Sequence, residues 1–147
     1  MPMMAMLGLL LAPLALAQQD EVAPAQYRVE ARVWSGGELR GEPQLELQPG
    51  NAGRFVVRAP ESSWRISVEV EPPSEHEGAE PGALWLEVGI EQRVDGDWLF
   101  LTDTMLGTPA GEPGRISVVE DNESGDPVGP ERAMLYIELT ARPLYDR

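Results

Sequence analysis

The sequence predicts an all-β protein, an antiparallel β-sandwich (immunoglobulin-like or similar) of about eight strands. Short segments alternate apolar and polar residues with a period of two, and clusters of Gly, Pro, Asn and Asp separate them. An Asp95-Gly96 pair lies between two of these segments, as in a tight hairpin. Beyond residues 1–17, apolar residues do not recur at helical spacing over the length of a helix, which disfavours α and α/β folds.

The predicted strands follow one another with short turns between them. Gly36-Gly37 and Pro49-Gly50 provide the turn residues early in the chain. The alternating segments are, in chain order, residues 27–34, 45–47, 55–57, 64–70, 84–94, 97–105, 115–119 and 134–141.

Residues 84–105 carry the strongest local signal in the chain. The Asp95-Gly96 pair favours a two-residue type I′ turn, in which both residues need positive φ. Such a turn pairs Val94 with Asp97, and this pairing sets the register of the hairpin. The side chains that we then expect on the core-facing side are Leu84, Leu86, Val88, Ile90, Leu99 and Leu101.

The opposite face of this hairpin is amphipathic and partly aromatic. It places Arg93 beside Trp98, Phe100 beside Glu91, and Trp85 near one end. Exposed aromatic side chains on a sheet are typical anchors of protein interfaces or sugar sites, unless loops of the same chain cover them. We therefore predict an interaction surface whose residues are Trp85, Arg93, Trp98 and Phe100.

Composition excludes several classes of function. The chain has 147 residues with 25 Asp and Glu against 11 basic residues, and its net charge is −14. Such a surface repels phosphate backbones and anionic lipids, so we expect no nucleic-acid or acidic-membrane partner. Every basic residue is arginine, which excludes lysine Schiff bases and the phosphate-loop lysine. Cysteine is absent as well, which excludes disulfides, thiol nucleophiles and thiolate metal sites.

Residues 1–17 have the pattern of a signal peptide. They are apolar and uncharged, and Ala15-Leu16-Ala17 is an A-x-A cleavage site followed by polar residues. We expect cleavage after Ala17, a periplasmic or secreted protein, and no stable membrane insertion once the segment is removed. Residues 18–26 would then be a flexible lead, and residues 27–143 a single β-sandwich domain.

Acidic loops contain the remaining candidates for chemistry. The single histidine, His76, lies in one of them, and a lone histidine among glutamates is a poor zinc site. Asp121, Glu123 and Asp126 offer oxygen ligands for calcium, although their spacing does not fit an EF-hand. Neither a nucleophile elbow nor any other arrangement of catalytic residues is recognisable, so we predict no catalytic residues and no cofactor.

Two stretches of the chain resemble a sequence pattern that recurs in bacterial envelope proteins, namely a strand, a glycine turn and a second strand. They are residues 43–57, which contain Pro43-Gln44-Leu45-Glu46-Leu47 and Phe55-Val56-Val57, and residues 109–118. This pattern is similar to parts of secretin-associated and TonB-linked periplasmic β modules. This resemblance implies a periplasmic module that binds or assembles without catalysis, and it assigns a role to no individual residue.

These observations predict an exported, non-catalytic β-sandwich that acts as a protein-binding or assembly module of the bacterial envelope. Its expected partner is an envelope or secreted protein. Two alternatives remain open at this point: a small secreted hydrolase that uses loop carboxylates, and a calcium-dependent ligand-binding module.

Overall fold

The computed structural model describes residues 26–71, 83–120 and 128–145, and within these ranges the chain is all-β, as predicted. Two antiparallel sheets pack face to face around one core. The strands of the described ranges are β1 (Gln26–Ser35), β2 (Glu38–Gly41), β3 (Gln44–Leu47), β4 (Gly53–Arg58), β5 (Ser63–Glu71), β6 (Ala83–Val94), β7 (Asp97–Pro109), β8 (Pro113–Val118) and β9 (Leu135–Leu144).

Sheet A has the strand order β2-β1-β9-β8, and β3 also pairs with β1. The strands β2 and β3 share one edge of β1 and are separated at Pro43, whose carbonyl oxygen accepts a hydrogen bond of 2.9 Å from the Ala31 amide. On its other edge β1 pairs with β9 along its whole length, from Gln26 opposite Leu144 to Ser35 opposite Leu135. The start of β1 therefore lies beside the end of β9.

Strand β2 has no counterpart among the predicted strands. It has four residues, and Leu39, its one large apolar side chain, is 42% exposed. Such a strand buries no alternating row of side chains, so it leaves no periodic signal in the sequence. Its formation follows from the hairpin turn at Gly36-Gly37, where both glycines have positive φ (64° and 82°).

Sheet B has the order β4-β5-β6-β7, and it contains the predicted hairpin. Val94 pairs with Asp97, and the turn residues Asp95 and Gly96 have φ values of 50° and 85°. The predicted type I′ turn and its register are thus confirmed. Within the described ranges β7 pairs with β6 only, so it is an edge strand of thirteen residues, 97–109.

A β-bulge in this hairpin overturns part of the predicted core. Glu91 pairs with Phe100 but the preceding Ile90 pairs with Thr102, so one residue of β7 is left over between the two pairs. After the bulge, Thr102 and Leu106 lie on the core-facing side of β7 and are half-buried. The core prediction was wrong for Leu101, the residue left over at the bulge, which is 41% exposed. It was also wrong for Leu99, which keeps its predicted pairing with Gln92 but lies between the bulge and the turn, outside the core, and is 49% exposed.

The core forms from the alternating rows that face each other between the sheets. In sheet B, Ile66, Val68 and Val88 are fully buried, and Val33 and Leu139 oppose them from sheet A. The tryptophans occupy two kinds of position. Trp64 faces the core and is 1% exposed, and the three half-buried ones on outer faces are Trp34, Trp85 and Trp98.

Candidate interaction surface

A charged and aromatic network lies on the outer face of sheet B near the hairpin turn. Arg65 on β5 donates two hydrogen bonds to the carboxylate of Glu91 on β6, one of them from Nε to Oε1 at 3.0 Å. This hydrogen bonding, with the charge of Arg65, holds the pKa of the Glu91 carboxyl below its ordinary value. The guanidinium carbon of Arg65 lies 4.7 Å from the ring centre of Trp98, and that of Arg93 lies 5.9 Å from it. The network orders this end of the sheet.

The structure brings together three of the four predicted surface residues. Arg93 pairs with Trp98 across the hairpin, and Phe100 lies two pairs further along, opposite Glu91. Trp98 is half-buried against its two arginines, whereas Phe100 is 66% exposed. Trp85 is separate: it lies eight residues from Arg93 along β6, or roughly 27 Å away at the rise of a strand.

Trp85 packs on its own part of the sheet. It is the register partner of Gly107, and the space above this glycine is filled by the indole ring, which approaches to 3.1 Å of the position where a Cβ would lie. Trp85 is half-buried there. The exposed anchor of the predicted surface is therefore Phe100.

Edge strand β7 exposes three further apolar side chains that sequence reasoning did not assign to the surface. Leu99, Leu101 and Met105 are 49%, 41% and 41% exposed. The sequence does contain a signal for this, because residues 98–101 are apolar without interruption and so have no period-two phase of their own. Contiguous exposed apolar residues on an edge strand are typical of interaction sites.

A shallow groove of about 240 Å³ lies beside Phe100 on the same outer face. Gly89 forms part of its lining, and a Cβ there would lie 2.6 Å from the Ser67 hydroxyl, so the groove depends on the missing side chain. The other lining residues are Ala52, Glu69, Glu87, Phe100 and Asp103.

The acidic side chains at this groove are crowded. Glu69 and Glu87 are register partners, and one carboxylate oxygen from each lies within 4.8 Å of the other and of one from Glu71. None of the ion pairs in residues 26–71, 83–120 and 128–145 involves Glu69, Glu87 or Asp103. Like charges directly opposite each other on a sheet are destabilising, so Glu69 and Glu87 repel each other across the strand pair.

The outer face of sheet A has the opposite character. Trp34 packs edge-on against its register partner Tyr136, with 5.5 Å between ring centres, and Arg32 lies 5.0 Å from the Trp34 ring centre. Three acids of this face, Glu42, Glu46 and Glu138, are paired with arginines, and Glu30 accepts a hydrogen bond from Gln44. The ion pairs are Arg28–Glu46 and Arg32–Glu42 at 3.2 Å, Arg115–Glu138 at 3.4 Å and Arg32–Glu138 at 4.0 Å.

A cavity of about 490 Å³ lies at one end of the sandwich, between the two sheets. The buried Trp64 donates a hydrogen bond of 3.1 Å from Nε1 to the Ser35 hydroxyl. The Ser35 hydroxyl in turn donates one of 3.3 Å to the Met134 carbonyl oxygen. Arg40 also lines the cavity, and it donates from Nε to the Ser35 carbonyl oxygen at 3.1 Å. Of these bonds, the one between Trp64 and Ser35 connects strands of the two sheets at this end.

Several predicted features lie outside the described residues. These are the signal segment 1–17, the loop histidine His76 and the calcium candidates Asp121, Glu123 and Asp126. They remain predictions, and so do the two alternative functions that depend on loop carboxylates.

Comparisons with protein families, with curated proteins and with solved structures found no match to this chain. No helix in the described ranges has the length and hydrophobicity needed to cross a membrane. The class that the fold and the surface define is a β-sandwich with an apolar edge strand.

Proposed function

We propose that this chain is a binding module of the bacterial envelope, exported by its N-terminal segment, that docks on another protein without catalysing a reaction. The docking surface is the outer face and edge of β7, centred on Phe100. The observation that supports this most directly is the exposure of Phe100, at 66%, on an edge strand that also exposes Leu99, Leu101 and Met105. An edge strand offers unpaired backbone groups to a partner strand, and apolar side chains beside it add contact area.

Ordered packing around the anchor favours this surface over a chance exposure of apolar groups. Arg65, Glu91 and Trp98 form a connected network beside Phe100, so the anchor rests on side chains that are held in place. Such preorganisation lowers the entropy that is lost on binding. An exposed aromatic side chain that becomes buried in a complex, with polar residues around it, is typical of residues that dominate binding energy.

Site-specific photo-crosslinking in the cell of origin tests this function. A photoreactive phenylalanine analogue replaces Phe100 in one variant and Leu39 in another, because Leu39 is 42% exposed on sheet A and lies outside the surface. We expect a discrete protein adduct from position 100 and none from position 39. The same adducts from both positions, or none from position 100, would contradict the proposal. N-terminal sequencing of the recovered protein tests export, since a chain that begins at Gln18 is expected.

A further inference from the structure

The partner of this surface must satisfy two features of sheet B at once. Phe100 and Met105 are apolar and exposed, at 66% and 41%, and both lie on the outer face of β7. Glu69, Glu87 and Asp103 lie around the same place and have no arginine partner in the described part of the chain. A purely apolar partner would bury these carboxylates without compensation, which is costly.

The exposed apolar groups and the carboxylates together exclude two other occupants, a metal ion and a second copy of the chain. A free metal ion would meet the carboxylates but leave Phe100 and Met105 in water. A second copy docked through the same face would bring its own Glu69, Glu87 and Asp103 toward those of the first, because such an interface is self-complementary. A cationic side chain on an extended segment meets both conditions, since an arginine or lysine approaches the carboxylates and its neighbours cover the apolar groups.

We propose that the groove beside Phe100 receives an arginine or lysine side chain from an extended, basic segment of the partner protein, which lies along β7. The inference rests on the proposed function and names the chemistry of its partner. The cation lies between the carboxylates of Glu87 and Asp103 and the ring of Phe100, which attracts it through its face. An apolar residue of the same segment packs on Met105. Binding relieves the repulsion between Glu69 and Glu87, which the free protein retains.

Two synthetic peptides of ten residues test the proposal. Both alternate valine and threonine around a central leucine and arginine that lie two positions apart, so that the two side chains project from the same face of the extended peptide. In the second peptide citrulline replaces arginine, which removes the charge and keeps the shape. We expect calorimetry to show binding of the arginine peptide that is about tenfold tighter than that of the citrulline peptide, and weaker at high salt.

Variants of the protein locate the binding. We expect E87Q and D103N each to weaken the arginine peptide about five- to tenfold and to leave citrulline-peptide affinity nearly unchanged. E46Q is the matched control, because it removes the same charge from a glutamate on sheet A that is paired with Arg28. It is expected to bind like the wild type. E87Q relieves a like-charge contact, so its melting temperature is expected to equal or exceed that of the wild type.

The outcomes separate this inference from the proposed function. Equal binding of both peptides, no binding of either, or full affinity in E87Q and D103N overturns the basic-segment inference. Self-association that E87Q and D103N abolish would assign the face to a second copy and overturn it too. A rise in melting temperature with calcium alone, absent in E87Q, would assign the groove to a metal. In each of these cases the crosslinks from position 100 still decide whether β7 docks on a protein.

Discussion

Removing the Ser35 hydroxyl tests the connection between the two sheets at the end of the sandwich. The hydroxyl accepts a hydrogen bond from Trp64 Nε1 at 3.1 Å and donates one to the Met134 carbonyl oxygen at 3.3 Å. Ser35 is 6% exposed and Trp64 is 1% exposed. Ser35→Ala therefore leaves a buried N–H donor and a carbonyl acceptor without this partner.

The magnitude follows from the burial and from the neighbouring cavity. An unsatisfied buried polar group costs about 1–3 kcal/mol. Ser35, Trp64 and Met134 all line the cavity of about 490 Å³, so water can reach part of the vacated site. We therefore expect Ser35→Ala to lower the free energy of unfolding by about 1–2 kcal/mol.

Urea unfolding followed by circular dichroism measures this loss. The slope of the unfolding free energy against urea concentration is expected to equal that of the wild type. The same exchange in a Trp64→Phe background has no indole N–H to leave unpaired, and it is expected to cost less by about 0.5–1.5 kcal/mol. Ser63→Ala is the control, a half-buried serine at the start of β5, expected to cost under about 0.5 kcal/mol. Strictly additive costs of the two core substitutions would refute the assigned hydrogen bond.

Three further predictions concern the hairpin and the sheet contacts. Glu91→Gln removes the charged hydrogen-bond partner of Arg65, and this bond lowers the pKa of the Glu91 carboxyl. The variant is therefore expected to be less stable than the wild type by the full amount at neutral pH, and by less as pH falls below the ordinary carboxyl pKa of 4.5. Melting curves across pH measure this difference, and a difference that grows in acid would contradict the prediction. Gly96→Ala forces alanine to φ 85° with no neighbouring atom within 4 Å, so thermal melts should show a loss of about 1–2 kcal/mol; no loss would argue against the turn. Gly114→Ala places Cβ 2.6 Å from Leu106 Cδ2, so urea unfolding should show a loss of about 1–3 kcal/mol in the free energy of unfolding. The same loss in a Leu106→Ala background would argue against this contact.

The sequence predicted the fold class and the hairpin because each depends on local rules. The Asp95-Gly96 turn has the expected positive φ values, and the pairing of Val94 with Asp97 follows from the turn alone. The same rules failed at Leu101, since extending a register assumes that the ladder has no extra residue. At Leu99 the register was right, but the residue lies beyond the end of the core. Nothing local marks the bulge except the loss of alternation in residues 98–101.

The candidate surface was predictable in part. Arg93, Trp98 and Phe100 come together because they lie near one turn of a single hairpin. The acidic groove was not predictable, because Glu69 and Glu87 come from different strands and meet only once β5 and β6 are in register. The role of Gly89 is likewise invisible in the sequence, since the space above a glycine depends on its neighbours.

The pairing of Gln26 with Leu144 has a mechanical consequence. If tension is applied to the domain through these two ends, it acts across the rungs of the β1–β9 ladder one after another, because antiparallel strands with adjacent ends peel apart rather than slide. Sheet B bears no part of the initial load. In a module held between two anchors in this way, β1 and β9 of sheet A would separate first. The docking face on β7, in sheet B, would keep its shape while they do so.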